Sequence, residues 1–162
     1  MTTEGSPLRL YRLVKERFSA TPLSTEGARH NSGRWHPAGQ GILYTSTSPE
    51  LALLEQLVHL PTLPYEDLPR LVLLTLTVPD NRRVLTEADL PATWRDEAAF
   101  GDNHQLMTPW LMFPDVLAVG VPSAVVTESL NYLLHPAHAL FEQIKIIESK
   151  PFVIDRRLWE KS

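Results

Sequence analysis

The chain contains no cysteine. Disulfides, thiolate zinc sites and cysteine nucleophiles are therefore excluded, which leaves carboxylates, imidazoles, hydroxyls and guanidiniums to carry any chemistry. There is no excess of positive charge either: 15 Lys and Arg stand against 19 Asp and Glu, for a formal net charge of −4. Nucleic-acid binding displaces counterions with a basic stripe, and no such stripe is present. The basic pairs Arg82-Arg83 and Arg156-Arg157 are read as solvated loop charges, with steering of a small anionic ligand as the alternative. Long apolar runs are missing as well. The most apolar segment, LVLLTLTVP from Leu71, is too short to cross a bilayer. The first residues, MTTEGSPLRLYRL, lack the basic start and apolar core of a signal peptide. A soluble, cytoplasmic protein is the expectation.

What is present is ordinary for a globular chain: 162 residues, 43% hydrophobic and 21% charged. One domain spanning 1–162 is expected, around a single core. The 14 prolines are scattered and punctuate short elements. LRLYRLV alternates and predicts a strand from Leu8 to Val14. Residues Glu26 to Gly41 hold four of the seven glycines and read as a long irregular loop, of a length usually tied to function or disorder. ILYTS predicts a strand over Ile42–Ser46, after which Ser48 caps a helix with Pro49 in its first turn and Pro61 beyond its end. RLVLLTLTVP is a buried strand with Val72, Leu74, Leu76 and Val78 on one face. Leu90 to Phe113 reads as helix broken at Pro91 and Pro109. VLAVGVPSAVV gives one or two strands with a kink, and IKIIES and FVI give the last two. Short strands interspersed with two or three helices indicate α+β and not a βαβ repeat.

The candidate chemistry gathers in SGRWHPAGQGILYTSTSPELALLEQ, Ser32 to Gln56. At helical spacing Glu55, Gln56 and His59 form a polar stripe beside Leu51, Leu54 and Val58. The plain reading is an exposed Glu–His pair; the other is a carboxylate presented at the lip of a cleft. Arg34, between Gly33 and Trp35, suits two-point binding of a phosphate, or else stacks on Trp35 or pairs with a surface acid. The glycines precede a strand and not a helix, so no dinucleotide fingerprint is formed. Ser123 follows the Pro122 kink without the flanking glycines of a hydrolase nucleophile. It either satisfies a neighbouring backbone group or offers its hydroxyl to a ligand. His30 and His36 flank Arg34 as possible loop-lining groups. His135 and His138 have a metal-like spacing but no third ligand in view, and no metal is expected.

Taken together, GARHNSGRWHPAGQGILYTSTSPELALLE, VPSAVVTESLNYLLHPAH and KPFVIDRRLW closely resemble the RES-domain toxin family. The Arg, Glu and Ser of that name fall at Arg34, Glu55 and Ser123. Members often carry Gly-Gly-Arg-Trp-Asn where this chain has Ser32-Gly33-Arg34-Trp35-His36. The resemblance implies an ADP-ribosyltransferase-like fold with a split, mostly antiparallel β core, helices around it and a cleft for NAD. It implies a toxin of a type II toxin–antitoxin pair that degrades NAD by hydrolysis or phosphorolysis, or that transfers ADP-ribose to a protein. It also implies a partner antitoxin of the helix-turn-helix, Xre type that blocks the cleft.

On that reading Glu55 meets the positive charge that develops on the ribose. Arg34 holds the pyrophosphate, Tyr44 stacks on nicotinamide, and Ser123 bonds a ribose hydroxyl. Ser46, Arg12 and Asn131 are further cleft-lining candidates. NAD is substrate and no metal is needed, because nicotinamide already leaves from a cationic ring. The rival readings are a protein-modifying ADP-ribosyltransferase and a non-enzymatic module that binds a nucleotide or a partner segment.

Overall fold

A computed structural model describes residues 5–160; residues 1–4 of the segment read against a signal peptide lie outside it. The alternating segment forms β1 (Leu8–Lys15). Then come a one-turn helix α1 (Glu26–His30), β2 (Leu43–Ser46) and α2 (Pro49–His59). The buried strand is β3 (Leu71–Val78), followed by β4 (Arg82–Val84) and α3 (Phe100–Met112). The chain closes with β5 (Ala118–Pro122), β6 (Leu130–Leu134), β7 (Lys145–Phe152) and a short α4 (Arg156–Trp159).

All seven strands join one sheet in the order β4-β5-β6-β2-β1-β3-β7. Every pairing is antiparallel except β4 with β5. The sheet is nearly two. β1 pairs with β3 over its whole length, Leu8↔Val78 to Lys15↔Leu71, and β2 pairs with β6 from Leu43↔Leu134 to Ser46↔Asn131. Between β1 and β2 the register holds at Tyr11↔Ser46 alone. The expected α+β class and the split, mostly antiparallel core are therefore observed.

Each half has its own packing. Leu71 and Leu73 of β3 meet Leu13, Ala52 of α2 and Ile154. Leu10, Val14, Val72, Leu74, Leu76 and Val78 fill the opposite side, so β3 is apolar on both faces and buried along nearly all its length. On the other half, Met107, Trp110 and Leu111 of α3 pack with Trp35, Trp94, Val121 and Leu133.

Several expectations change in detail. Arg82-Arg83 is no loop but an exposed edge strand; Arg82 lies 3.2 Å from Asp80 and Arg83 2.8 Å from Asp115. The last two strands are one, running through Pro151. β7 is an edge, so the missing proline N–H costs no ladder bond. Pro109 lies inside α3 and the helix continues past it, whereas the stretch from Glu87 to Ala99 makes only 3-10 turns. β6 was not anticipated. Among the described residues no helix is long and apolar enough to cross a membrane.

Candidate functional site

The cleft opens where the two half-sheets part, with a volume of about 1050 Å³, and Arg12, Arg34, Tyr44, Ser46, Glu55 and Asn131 all line it. Arg12, Leu13 and Tyr44 also border a second chamber of about 590 Å³. The first is large enough to bury most of a small organic ligand.

Glu55 is aimed by its helix. The Ser48 hydroxyl accepts from Leu51 N at 3.1 Å and Pro49 occupies the first turn, which fixes where α2 begins. One helical turn after the buried Leu51 and Ala52, Glu55 turns to the cleft. Its Oε1 accepts from Ser123 Oγ at 2.6 Å and from Asn131 Nδ2 at 2.9 Å. Asn131 Oδ1 in turn accepts from Ser46 Oγ at 2.7 Å, across the register pair that joins β2 to β6. No hydrogen bond among the described residues engages Oε2. The exposed Glu–His pair is not formed: no ion pair joins Glu55 to His59 among the described residues. Leu54 and Val58 are exposed on the same helix, 37% and 59%.

Ser123 has no accessible surface. Its hydroxyl donates to Glu55 and accepts from Val125 N and Val126 N at 3.0 and 3.1 Å. With donor and lone pairs committed, it acts on the carboxylate; the expected bond to a ribose hydroxyl has no group left to make it. The backbone-satisfying role weighed for this serine is the observed one.

Arg34 lies across the cleft. Nη1 donates to Trp94 O at 2.8 Å, which also accepts from Asn103 Nδ2 at 2.9 Å. The guanidinium sits 4.8 Å from the Phe100 ring centroid. Stacking on Trp35 is not what happens: Trp35 is buried against Trp94, centroids 6.1 Å apart. The Arg34 pKa falls below its ordinary value, chiefly through loss of water; the Glu55 and Glu97 charges oppose that shift and Arg95 adds to it. The loop holding Arg34 is fixed by Gly33 N donating to His36 O at 2.9 Å and by His104 Nε2 at 2.6 Å from Gly33 O. A side chain at Gly33 would start 2.9 Å from the His36 ring and 3.0 Å from the Tyr44 hydroxyl, so only glycine fits.

His36 is buried and does not line the main cleft. Nε2 lies 2.9 and 2.8 Å from the carbonyl oxygens of Ala28 and Asn31, so it carries the proton. Nδ1 then accepts from the Tyr44 hydroxyl at 2.5 Å. Burial pushes the Tyr44 phenol pKa well up, which keeps it protonated. Arg12 Nη1 donates to Tyr44 O at 2.9 Å, spanning the parted strands, while Nε is buried without a partner. Burial lowers the Arg12 pKa to about 10.

His30 is exposed, 3.8 Å from Glu26. His135 bonds Leu111 O at 2.8 Å and His138 caps a turn by accepting from Leu140 N at 3.1 Å. Trp94, Arg95, Glu97, Phe100 and His104 were not anticipated. They arrive from residues 94–104, some sixty or more positions beyond Arg34, with no local pattern to mark them.

The fold has counterparts. The RES domain profile matches residues 9–155. A protein named Toxin Res from Yersinia enterocolitica is 32% identical over 93% of this chain and 99% of its own. Another of that name from Pseudomonas putida is 37% identical over 91% of this chain and 100% of its own. A Prs ADP-ribosylating toxin from Sphingobium is 32% identical, covering 90% of this chain and 91% of its own. The crystal structure of the M. tuberculosis MbcT-MbcA toxin-antitoxin complex contains a chain of the same fold, TM-score 0.70 and 20% identity, over 93% of this chain and 86% of that one. With the profile spanning both half-sheets and the whole Arg34–Glu55–Ser123 constellation, this chain belongs to the RES domain family.

Proposed function

We propose that this chain is an enzyme, the toxin of a type II toxin–antitoxin pair, and that it cleaves the bond between nicotinamide and ribose in NAD. The observation that carries the proposal is a carboxylate gripped on one oxygen by Ser123 and Asn131, facing a cleft that also holds the Arg12 and Arg34 guanidiniums, which have no acid partner among the described residues. As the glycosidic bond breaks, its electron pair leaves with nicotinamide and positive charge grows on the ribose. Glu55 Oε2, with no hydrogen-bond donor among the described residues, stabilises that charge or orients the incoming acceptor. Attack by water yields ADP-ribose, nicotinamide and a proton. Arg34 and Arg12 hold the pyrophosphate, and the Tyr44 ring lies against nicotinamide. Ser46 and Asn131 line the dinucleotide site and brace Glu55. No step calls for a metal.

Names of relatives support the toxin reading, and the solved neighbour was captured with its antitoxin. A separate antitoxin of the helix-turn-helix Xre type that covers the cleft belongs to this proposal, as does action in the cytoplasm. One observation favours a second acceptor: the Sphingobium relative is named an ADP-ribosylating toxin, and the same residues serve transfer to a protein side chain.

Incubating the purified protein with NAD and following nicotinamide release is the test. Release by the parent and its loss in Glu55→Gln, with kcat down by on the order of 100-fold or more and the fold intact, are expected. Parent-like turnover in Glu55→Gln would return Glu55 to a plain helix surface. Label passing from NAD to a protein only when cell extract is added would select the transfer reading.

A further inference from the structure

The two chambers share a wall. Arg12, Leu13 and Tyr44 border both the 1050 Å³ cleft and the 590 Å³ chamber beside it. Gly33 and Arg34 line the first and not the second, whereas His36 lines the second and not the first. The Tyr44 side chain thus has open space on two sides, and packing alone does not fix it. On the far side stand Val14, Phe18, Pro22 and Ile42, whose side chains offer a phenol no hydrogen bond. An aromatic side chain beside a chamber of that size has room to take a second rotamer. A wall built this way needs a tether.

The tether is at the far end of the ring. The Tyr44 hydroxyl gives its proton to His36 Nδ1 at 2.5 Å, and His36 Nε2–H is spent on Ala28 O and Asn31 O at 2.9 and 2.8 Å. The imidazole is anchored to α1 and its capping residue, and Tyr44 is anchored to the imidazole. The Trp35 backbone amide points a donor at the same phenol oxygen, so the phenol proton depends on Nδ1 for its acceptor. Gly33 lies over this bond: a side chain there would start 2.9 Å from the His36 ring and 3.0 Å from the Tyr44 hydroxyl. Its N–H also donates to His36 O, which ties the Arg34 loop to the same histidine. Arg12 holds Tyr44 by the backbone carbonyl and leaves its ring unconstrained. A buried hydroxyl left without an acceptor is penalised by its lost hydration, so removing Nδ1 favours a ring swung off this position. We propose that His36 is a positioning residue: it keeps the Tyr44 ring in the wall between the chambers, so that the cleft offers a ligand the ring and not the phenol. For its effect on turnover, the inference rests on the proposed cleavage of NAD.

Two substitutions separate the roles of the two ring nitrogens. An asparagine carbonyl stands near the place of Nδ1 and accepts from Tyr44. A glutamine amide reaches toward the Nε2 partners and leaves the phenol without an acceptor. His36→Gln is expected to raise KM for NAD about threefold to tenfold, as loss of one hydrogen bond would, with kcat little changed. His36→Asn should keep KM near the parental value although it gives up Ala28 O and Asn31 O. Tyr44→Phe removes the same bond from its other end, and adding His36→Gln to it should raise KM no further. A second measurement needs no turnover. With isotope-labelled tyrosine rings in the full chain, the Tyr44 signal is the one of four that Tyr44→Phe deletes. It should report one ordered ring position in the parent and in His36→Asn, and averaging between positions in His36→Gln. Equal KM rises in the Asn and Gln variants, a parental KM in His36→Gln, or a Tyr44 ring as ordered there as in the parent overturns the proposal. Should His36→Gln fail to fold, Tyr44→Phe decides: a raised KM supports the tether and a parental KM overturns it. If the parent releases no nicotinamide, the NAD reading fails, and the ring signal alone rules on His36.

Discussion

Ser123 spends its hydroxyl entirely within the protein. It gives its proton to Glu55 and takes two backbone N–H groups in return. Ser123→Ala removes one of two donors to Oε1 and leaves the amides of Val125 and Val126 without their acceptor. Each buried unsatisfied group costs about 1–3 kcal/mol. The expected outcome is a loss of stability on the order of 2 kcal/mol by urea unfolding, together with a fall in kcat and little change in KM. A raised KM at parental stability and kcat would instead place Ser123 on the ligand. Arg34, Tyr44 and Glu55 were legible because one short stretch carries them all. The sequence equally marked Ser123, but its partner was hidden, since the bond spans 68 positions. Arg95 was not legible at all: an arginine in TWRDEAAF carries no periodic signal, and only the fold brings it to the cleft.

At the level of elements, helix α2 was readable to within a residue, because a serine cap and two prolines bracket it. β4 and β6 were not. Arg82-Arg83-Val84 is too short and too charged to announce a strand, and its pairing with β5 is parallel and remote. LNYLL lacks alternation because Tyr132, Leu133 and Leu134 are all buried, serving both faces of the sheet. The junction between α3 and β6 carries a pH-sensitive contact. His135 ends β6, donates to Leu111 O at 2.8 Å and meets the edge of Trp110 with centroids 5.1 Å apart. Burial, with a smaller push from His138, lowers its pKa below the usual 6.5. Above that value both folded and unfolded chains hold it neutral. As pH falls, the unfolded chain takes the proton first, so stability is lost from about 6.5 downward. The melting temperature should therefore drop between pH 7.5 and 5.5, and drop less in His135→Gln, whose amide keeps a donor but does not titrate. An equal drop in both proteins would remove His135 as the cause.

For the whole molecule, the half-sheets are interleaved along the chain: β1, β3 and β7 form one, while β2, β4, β5 and β6 form the other. Most pairings join distant segments, as Leu8↔Val78 and Leu71↔Phe152 do. Such topologies pay loop-closure entropy before contacts repay it, and they fold in about milliseconds to seconds. Stopped-flow refolding of the isolated chain is expected in that range; microsecond folding would mean that local contacts dominate. The seam at Tyr11↔Ser46 adds a consequence for synthesis. The strand that flanks the seam on one side, β1, leans on β3, which is completed only by β7 near the end of the chain. At about 5–20 residues per second, making the stretch from Leu8 to Phe152 takes roughly 7–29 s. For nearly all of that interval the halves have no finished partner to hold them at the separation that makes the cleft. The separation that makes the cleft is therefore set late in synthesis, after β7 has been made.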